Sequence, residues 1–474
     1  MRKLMDMVTP TLPNRITSNP RTRMDPCTHP RTHPWTRPLG RVAAAAALAG
    51  TALLALPAGS VPGTALEAQV PAPRQDRAVA LVGATIHPVS GPAIQGGTLV
   101  FENGVITAVG TNVAIPEGAQ RVDLSGKHIY PGLIDAWSSV GLFETGGIDV
   151  AIDQNEFGDL NPNVRAAVAF HPESRHIGVT RSNGVLVTVS SPSGGLISGM
   201  ASAMMLDGWT WETMTIRDKA GLVVNWPGAQ NPGSYNLALA DLNDAVATSR
   251  AYLAAKDAAA TEGRLFATDV RWEAMRPVLD GEVPLMVVAN DVRQMQDAIT
   301  WAEAEGMRII LVGGRDAGYI ADYLAEKEVP VLLSSVNSRP GRNWEPVDHL
   351  RTLPARLHEA GVRFGISGGA SAPYANRLPY EAGVAMGNGL PELEALRALT
   401  LYPAQFLGID DRVGSLDVGK DATLLITDGN PLEYATTIDQ AFIEGRDIDL
   451  MDAHRQFYER YSEKLRQLQG RPVL

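Results

Sequence analysis

The sequence predicts an α/β protein built on a (β/α)8 TIM-like barrel, with small β-rich segments before and after it. Three observations predict this. Short, almost wholly apolar runs recur along the second half: PLMVVAN (284–290), MRIILVGG (307–314), PVLLSSV (330–336) and VRFGISGG (362–369). Amphipathic stretches such as DVRQMQDAITWAEAEG (291–306) and AGYIADYLAEKE (317–328) separate them. Apolar strands alternating with helices imply a parallel sheet covered on both faces. Finally, the chain has 474 residues, enough for a barrel of roughly 250 residues and a smaller module.

Taken in order, residues 1–68 read as an N-terminal extension and signal peptide. Arg37 and Arg41 flank an apolar run from Val42 to Leu56, and small residues follow it. That is the layout of a secretory signal, which predicts a periplasmic or extracellular protein. Residues 69–78 are rich in Pro, Gln and Arg and read as a linker. Residues 79–130 alternate short β-rich runs with turns, and Asn103-Gly104 marks a hairpin. The barrel is expected over 131–412. It includes GVLVTVSS (184–191) as a further strand, and an insertion near the mouth somewhere in 200–280. β texture returns over 413–450, and 451–474 reads as a charged amphipathic helix.

Composition excludes several classes of function. The one cysteine, Cys27, lies in the N-terminal extension, so neither a disulfide nor a catalytic thiol is expected in the remainder. The net charge is −11, and residues 1–68 carry more basic than acidic side chains, so the remainder is more acidic still. No nucleic-acid partner is expected, nor a membrane span after residue 68.

Three segments together carry a resemblance. LVFENGVITAVG (99–110) leads into YPGLIDAWSSVG (130–141); ALTLYPAQFLGI (398–409) comes next; VGSLDVGKDATLLITDGNPLE (413–433) and AFIEGRDI (441–448) close the series. Both ends in this order resemble the amidohydrolase superfamily of metal-dependent hydrolases, over residues 79–450. The stretch GGLISGMASAMMLDGWTW (194–211) is similar to a periplasmic bacterial branch. The resemblance implies that the β segments on either side of the barrel combine into one composite β-sandwich. It also implies hydrolysis of amide-like bonds at the C-terminal ends of the barrel strands, using one or two divalent metals.

The positions at which the family holds those metals are altered here. Trp137, Ser138 and Ser139 stand where the resemblance places His-x-His. Asn290, beside Asp291, stands at a histidine position; Gly313 and Gly314 at another; Gly368 or Gly369 at the aspartate that is both ligand and base. Indole cannot ligate, glycine offers no side chain, and a neutral hydroxyl is a poor ligand. No cofactor is therefore expected. Seven histidines lie beyond residue 68 (His87, His128, His171, His176, His349, His358 and His454), and each reads as a surface residue. The acidic loop 146–162 matches no calcium-loop spacing. Ser139 lacks a Gly-x-Ser-x-Gly context.

Residues at strand ends would line the pocket: Trp137, Ser139, Asn290, Asp291, Arg315, Asp316, Asn337 and Ser367. Alternatively, Trp137 packs into the emptied site and the polar groups belong to surface loops. Two functions are expected. The first is a pseudoenzyme that binds a small ligand or serves as a partner subunit, as a homo-oligomer or paired with an active relative. The alternative is a hydrolase of C–N bonds (non-peptide amide, cyclic amide or dipeptide) working through a rearranged or metal-free site.

Overall fold

The structure is a computed structural model that describes residues 70–369 and 371–470. The signal-peptide reading and Cys27 lie outside the described residues. Among the described residues, no helix is long and apolar enough to cross a membrane.

Two sheets organise the described chain. The first draws on both sides of the barrel. Strands β1 (Val79–Ile86), β2 (Ile94–Glu102), β3 (Val105–Gly110), β4 (Gln120–Asp123) and β5 (His128–Pro131) precede it; β14 (Leu424–Thr427), β15 (Ile438–Ile443) and β16 (Arg446–Ile448) come after it. They form one sheet in the order β16-β15-β14-β5-β1-β2-β3, with β4 pairing to β1 beside β5. Asn103 and Gly104 both take positive φ in the hairpin between β2 and β3, which the Asn-Gly pair suits. Leu81, Leu99, Phe101, Ile106, Leu424 and Phe442 pack together as the sheet's own core. The segments on either side of the barrel thus join in one eight-stranded sheet with its own core.

The second sheet is the barrel. Its strands are β6 (Leu133–Ser138), β7 (Val185–Ser190), β8 (Ile197–Met205), β9 (Thr215–Asn225), β10 (Leu285–Ala289), β11 (Ile309–Gly313), β12 (Val331–Leu333) and β13 (Phe364–Ile366), hydrogen-bonded in sequence order. One departs from the expected parallel arrangement. β8 runs antiparallel to both β7 and β9, while every other pairing is parallel. The chain between β7 and β8 is the short, turn-forming SPSGGL. Antiparallel neighbours need only such a turn, whereas parallel ones need a crossover. The helical material therefore comes after β9, in Pro232–Thr261 and Val270–Leu279. The interval 200–280 thus holds most of β8, the short helix Trp211–Met214, β9 and these two helices.

The two ends of the barrel sheet meet along a seam between β13 and β6. Side chains join it. Gly368 N–H donates to Asp135 Oδ1 at 3.1 Å, and Ala372 N–H donates to Ser139 Oγ at 3.0 Å. At the opposite end Ile134 N–H reaches Leu399 O at 2.8 Å. Inside the barrel, Ile134, Ala136, Val189, Val223, Met286 and Val312 form a packed apolar filling.

Candidate active site at the barrel mouth

The strand ends at which altered ligand positions were expected hold packed side chains and glycines. Along β6, Asp135 pairs with Thr188 but Ser138 pairs with Ser190, so β6 carries one extra residue there. Such a bulge re-aims a side chain. Trp137 lies in it, 8% exposed, packed with the barrel filling. Ser138 and Ser139 are buried, and the Ser139 hydroxyl serves the seam. Gly313 has φ +100°, and a Cβ there would lie 2.6 Å from Asn290 Oδ1. Gly369 has φ +86°; a Cβ on Gly368 would lie 3.1 Å from Asp135 Oδ2 and 3.2 Å from Ala375 Cα. A longer side chain at Gly313 or Gly368 would have to move its neighbours.

The other strand-end candidates divide. Asp291 caps the helix Val292–Ala304: its Oδ1 accepts from Gln294 N–H at 3.0 Å. The Gln294 side chain in turn accepts from Asn290 N–H, at 3.1 Å. Ser367 is fully buried and donates to Leu333 O. Asn337 is exposed, and its backbone N–H is held by Glu381. Arg315 and Asp316, by contrast, belong to a cluster at the mouth.

That cluster overturns the expectation that the chain has no place for a metal. Asp316, Glu345 and His349 are all buried, and each offers a ligand atom within 4.8 Å of the others, a group that could hold a metal ion. Two carboxylates and one imidazole are a donor set that divalent zinc or manganese accepts. The correction has a physical reason. Ligands were expected at the family's strand-end positions, whereas these come from the loops beyond β11 and β12. His349, expected at the surface, is 3% exposed.

Local sequence places each group. Gly313 and Gly314, both at positive φ, turn the chain out of β11, and Asp316 N–H then ties to Asn290 O at 3.0 Å. Beyond β12 the loop 334–348 carries Pro340-Gly341 and then folds on itself. Glu345 Oε2 accepts from Arg342 N–H at 2.9 Å, and Glu345 N–H returns to Arg342 O. His349 opens the helix His349–Glu359. Its Nε2 lies 3.3 Å from Arg315 O, a partner that can only accept, so Nε2 carries the proton and Nδ1 is the basic nitrogen. Tyr319 stacks on the His349 ring at 5.4 Å.

Arg342 supplies the positive charge the two carboxylates face. Its Nη2 reaches Asp316 Oδ2 at 2.7 Å, and its Nη1 reaches Asp316 Oδ1 at 3.0 Å and Glu345 Oε1 at 2.9 Å. Burial alone would raise the Glu345 pKa. Backbone N–H groups of Arg342 and Gly341, with the Arg342 and His349 charges, outweigh it and hold the carboxyl below its usual range. Any metal ion that took these oxygens would compete with the Arg342 guanidinium.

Asp135 differs from these acids. It is fully buried in the seam, and burial pushes its carboxyl up to about 7, although Gly368, Trp137 and Ser138 all hydrogen-bond to it. Sequence reasoning misses it, because in Ile-Asp-Ala-Trp-Ser-Ser the altered ligand positions Trp137 to Ser139 carry the signal and the aspartate before them does not.

Comparison with known proteins agrees with this architecture. Residues 288–449 match the amidohydrolase family model, a span that contains Asp316, Glu345 and His349. A solved amidohydrolase from Thermotoga maritima MSB8 is similar with a TM-score of 0.72 and 27% identity, covering 78% of this chain and 99% of that one. A Xaa-Pro dipeptidase with methionine bound in its active site shares the fold, with a TM-score of 0.50 and 14% identity over 78% of this chain and all of that one. Among characterised sequences, the amidohydrolase tasK of Hapsidospora irregularis is 22% identical over 386 residues, covering 74% of this chain. An imidazolonepropionase of Syntrophobacter fumaroxidans (strain DSM 10017 / MPOB) is 40% identical over 83 residues, 17% of this chain. The matched spans are 39% and 20% of those two relatives' own lengths. Residues 288–449 thus match the amidohydrolase family, and the described fold is similar to that of a solved amidohydrolase.

Proposed function

We propose that this protein hydrolyses C–N bonds of amide type (non-peptide amides, cyclic amides or dipeptides) at the barrel mouth around Asp316, Glu345 and His349. One observation carries the reading: three buried donor atoms converge within 4.8 Å beyond the C-terminal ends of barrel strands, where barrel enzymes act. A divalent ion held there would polarise a substrate carbonyl and lower the pKa of bound water. The chain's own residues have separate tasks. Asp316 and Glu345 concentrate negative charge in a buried place and hold a cation. His349 offers Nδ1 as the third donor, oriented through Nε2. Arg342, once released from the carboxylates, supplies a guanidinium beside the reacting centre. Tyr319 and Trp344 form an aromatic rim, with ring centroids 6.4 Å apart. The apolar run 42–56 adds that the reaction takes place outside the cytoplasm.

Turnover tests this directly. The purified protein is assayed against amides, cyclic ureas and dipeptides with added zinc or manganese. The expected result is metal-dependent hydrolysis that falls at least a hundredfold in Asp316→Asn and His349→Ala. Hydrolysis that both substitutions leave unchanged would overturn the assignment.

A second reading has its own observation. Trp137, Gly313 and Gly368 sit in places where the family's ligands cannot be restored without rearrangement, which favours a binding or partner subunit without turnover. Absence of hydrolysis across the panel, together with a stable complex recovered from cells, would support that reading instead.

A further inference from the structure

A pair of imidazoles lies away from the mouth, in the sheet built from both sides of the barrel. His87 comes directly after β1, and His128 is the first residue of β5. The two strands pair in parallel, with Thr85 opposite His128 and Ile86 opposite Ile129. Side chains two apart along a strand share a face, so His128 and Tyr130 stand together and His87 continues the face of Thr85. The register thus brings three rings into one stack. Tyr130 lies against His87 with centroids 4.2 Å and planes 11° apart, and the two imidazole centroids are 5.3 Å apart.

Within that stack His87 Nε2 and His128 Nδ1 face each other at 3.1 Å. Both side chains are half-buried. The His87 pKa is pushed down to about 4, first by burial and then by His128, so at neutral pH this imidazole is uncharged and has a lone pair to offer. Two nitrogens 3.1 Å apart, each about 2.0–2.1 Å from one ion, subtend an angle of about 100° at it, between the octahedral and tetrahedral values. Negative charge is close by: Glu392, which opens the helix Glu392–Ala398, adds to burial in raising the Tyr130 hydroxyl above its usual range. Lys127, the cation next to His128 in the chain, is held by Asp439 at 2.7 Å.

We propose that His87 Nε2 and His128 Nδ1 together bind one divalent ion of the nickel, copper and zinc group, with water in its remaining positions. Imidazole suits these ions, whereas magnesium and calcium take oxygen ligands. Two nitrogen–metal bonds replace the N–H···N hydrogen bond. The imidazole that was the donor passes its proton through water to its other ring nitrogen, so no proton is released overall. The site is independent of the hydrolase reading and shares no residue with the mouth.

Nickel(II) and magnesium(II) are titrated calorimetrically, at neutral pH, into the full protein carrying His349→Ala, which removes the histidine of the mouth. One equivalent of nickel is expected to bind, and adding either His87→Gln or His128→Gln should weaken it at least tenfold. Magnesium should not bind in its place. If the doubly substituted proteins fail to fold, electron paramagnetic resonance of copper(II) on the His349→Ala protein should show two coordinated nitrogens. Nickel affinity unchanged by both histidine substitutions, equal binding of magnesium, or fewer than two nitrogens on copper would each overturn the proposal.

Discussion

The seam between β13 and β6 and the cluster beyond β11 and β12 both lie at the C-terminal end of the barrel, and they differ in what fills them. At the seam a bulged tryptophan, two glycines and a buried aspartate close the wall. Trp137 packs with the barrel filling, and Asp135 and Ser139 accept backbone N–H groups from the far side. At the cluster, three donors converge, and two of them, Asp316 and Glu345, hold a guanidinium that solvent partly reaches. The first region uses its polar groups to join the barrel. The second keeps its polar groups convergent. The difference teaches that one stretch of the barrel's C-terminal rim can be given to packing while acidic groups gather one loop further out.

Substitutions can break that comparison. The largest effect belongs to Trp137→Ala. Deleting a buried indole should cost about 3–5 kcal/mol of stability, measured by urea unfolding. A loss of less than about 1 kcal/mol would mean that the indole is not packed into the barrel filling. Metal retention should stay the same in this variant, because Trp137 belongs to the other region.

Asp135 gives a pH-dependent test. Its folded pKa, about 7, lies above the value of 3.8 expected when unfolded. Between these values the folded state binds more protons, so this group's contribution to stability is present below about pH 4 and is lost as pH rises through about 7. Asp135→Asn removes that dependence. The difference in thermal midpoint, variant minus wild type, should therefore become more positive from pH 4 to pH 7. A difference that is flat with pH would show that Asp135 is not held in its buried, protonation-favouring place.

The smallest effect is that of Asp291→Ala. This residue was expected beside the pocket yet caps a helix, so its loss should cost about 1 kcal/mol and leave metal retention untouched. Loss of metal would move Asp291 from the helix cap into the site.

Much of the barrel was legible in the sequence, because buried parallel strands are short apolar runs. β10 and β11 fall within PLMVVAN and MRIILVGG, and the helix Val292–Ala304 within its amphipathic stretch. The reversal of β8 was not legible. ISGMASAMM is buried throughout, and a wholly buried run has the same pattern in either direction. The site was half legible. Asp316 comes after a glycine-terminated strand and could be named from position alone. Glu345 and His349 come from a long loop and the first turn of a helix, which no periodicity marks. The length of that loop, 334–348, was the available signal, since long loops at a barrel mouth carry function.

The central claim, that Asp316, Glu345 and His349 form a metal site in competition with Arg342, is tested most directly by metal content. Wild type, His349→Ala and Arg342→Gln are each exposed to zinc or manganese, dialysed, and analysed by elemental mass spectrometry. The account predicts retained metal in wild type, a loss of at least tenfold in His349→Ala, and more metal held in Arg342→Gln than in wild type. Equal metal in all three proteins, or none in Arg342→Gln, would contradict it.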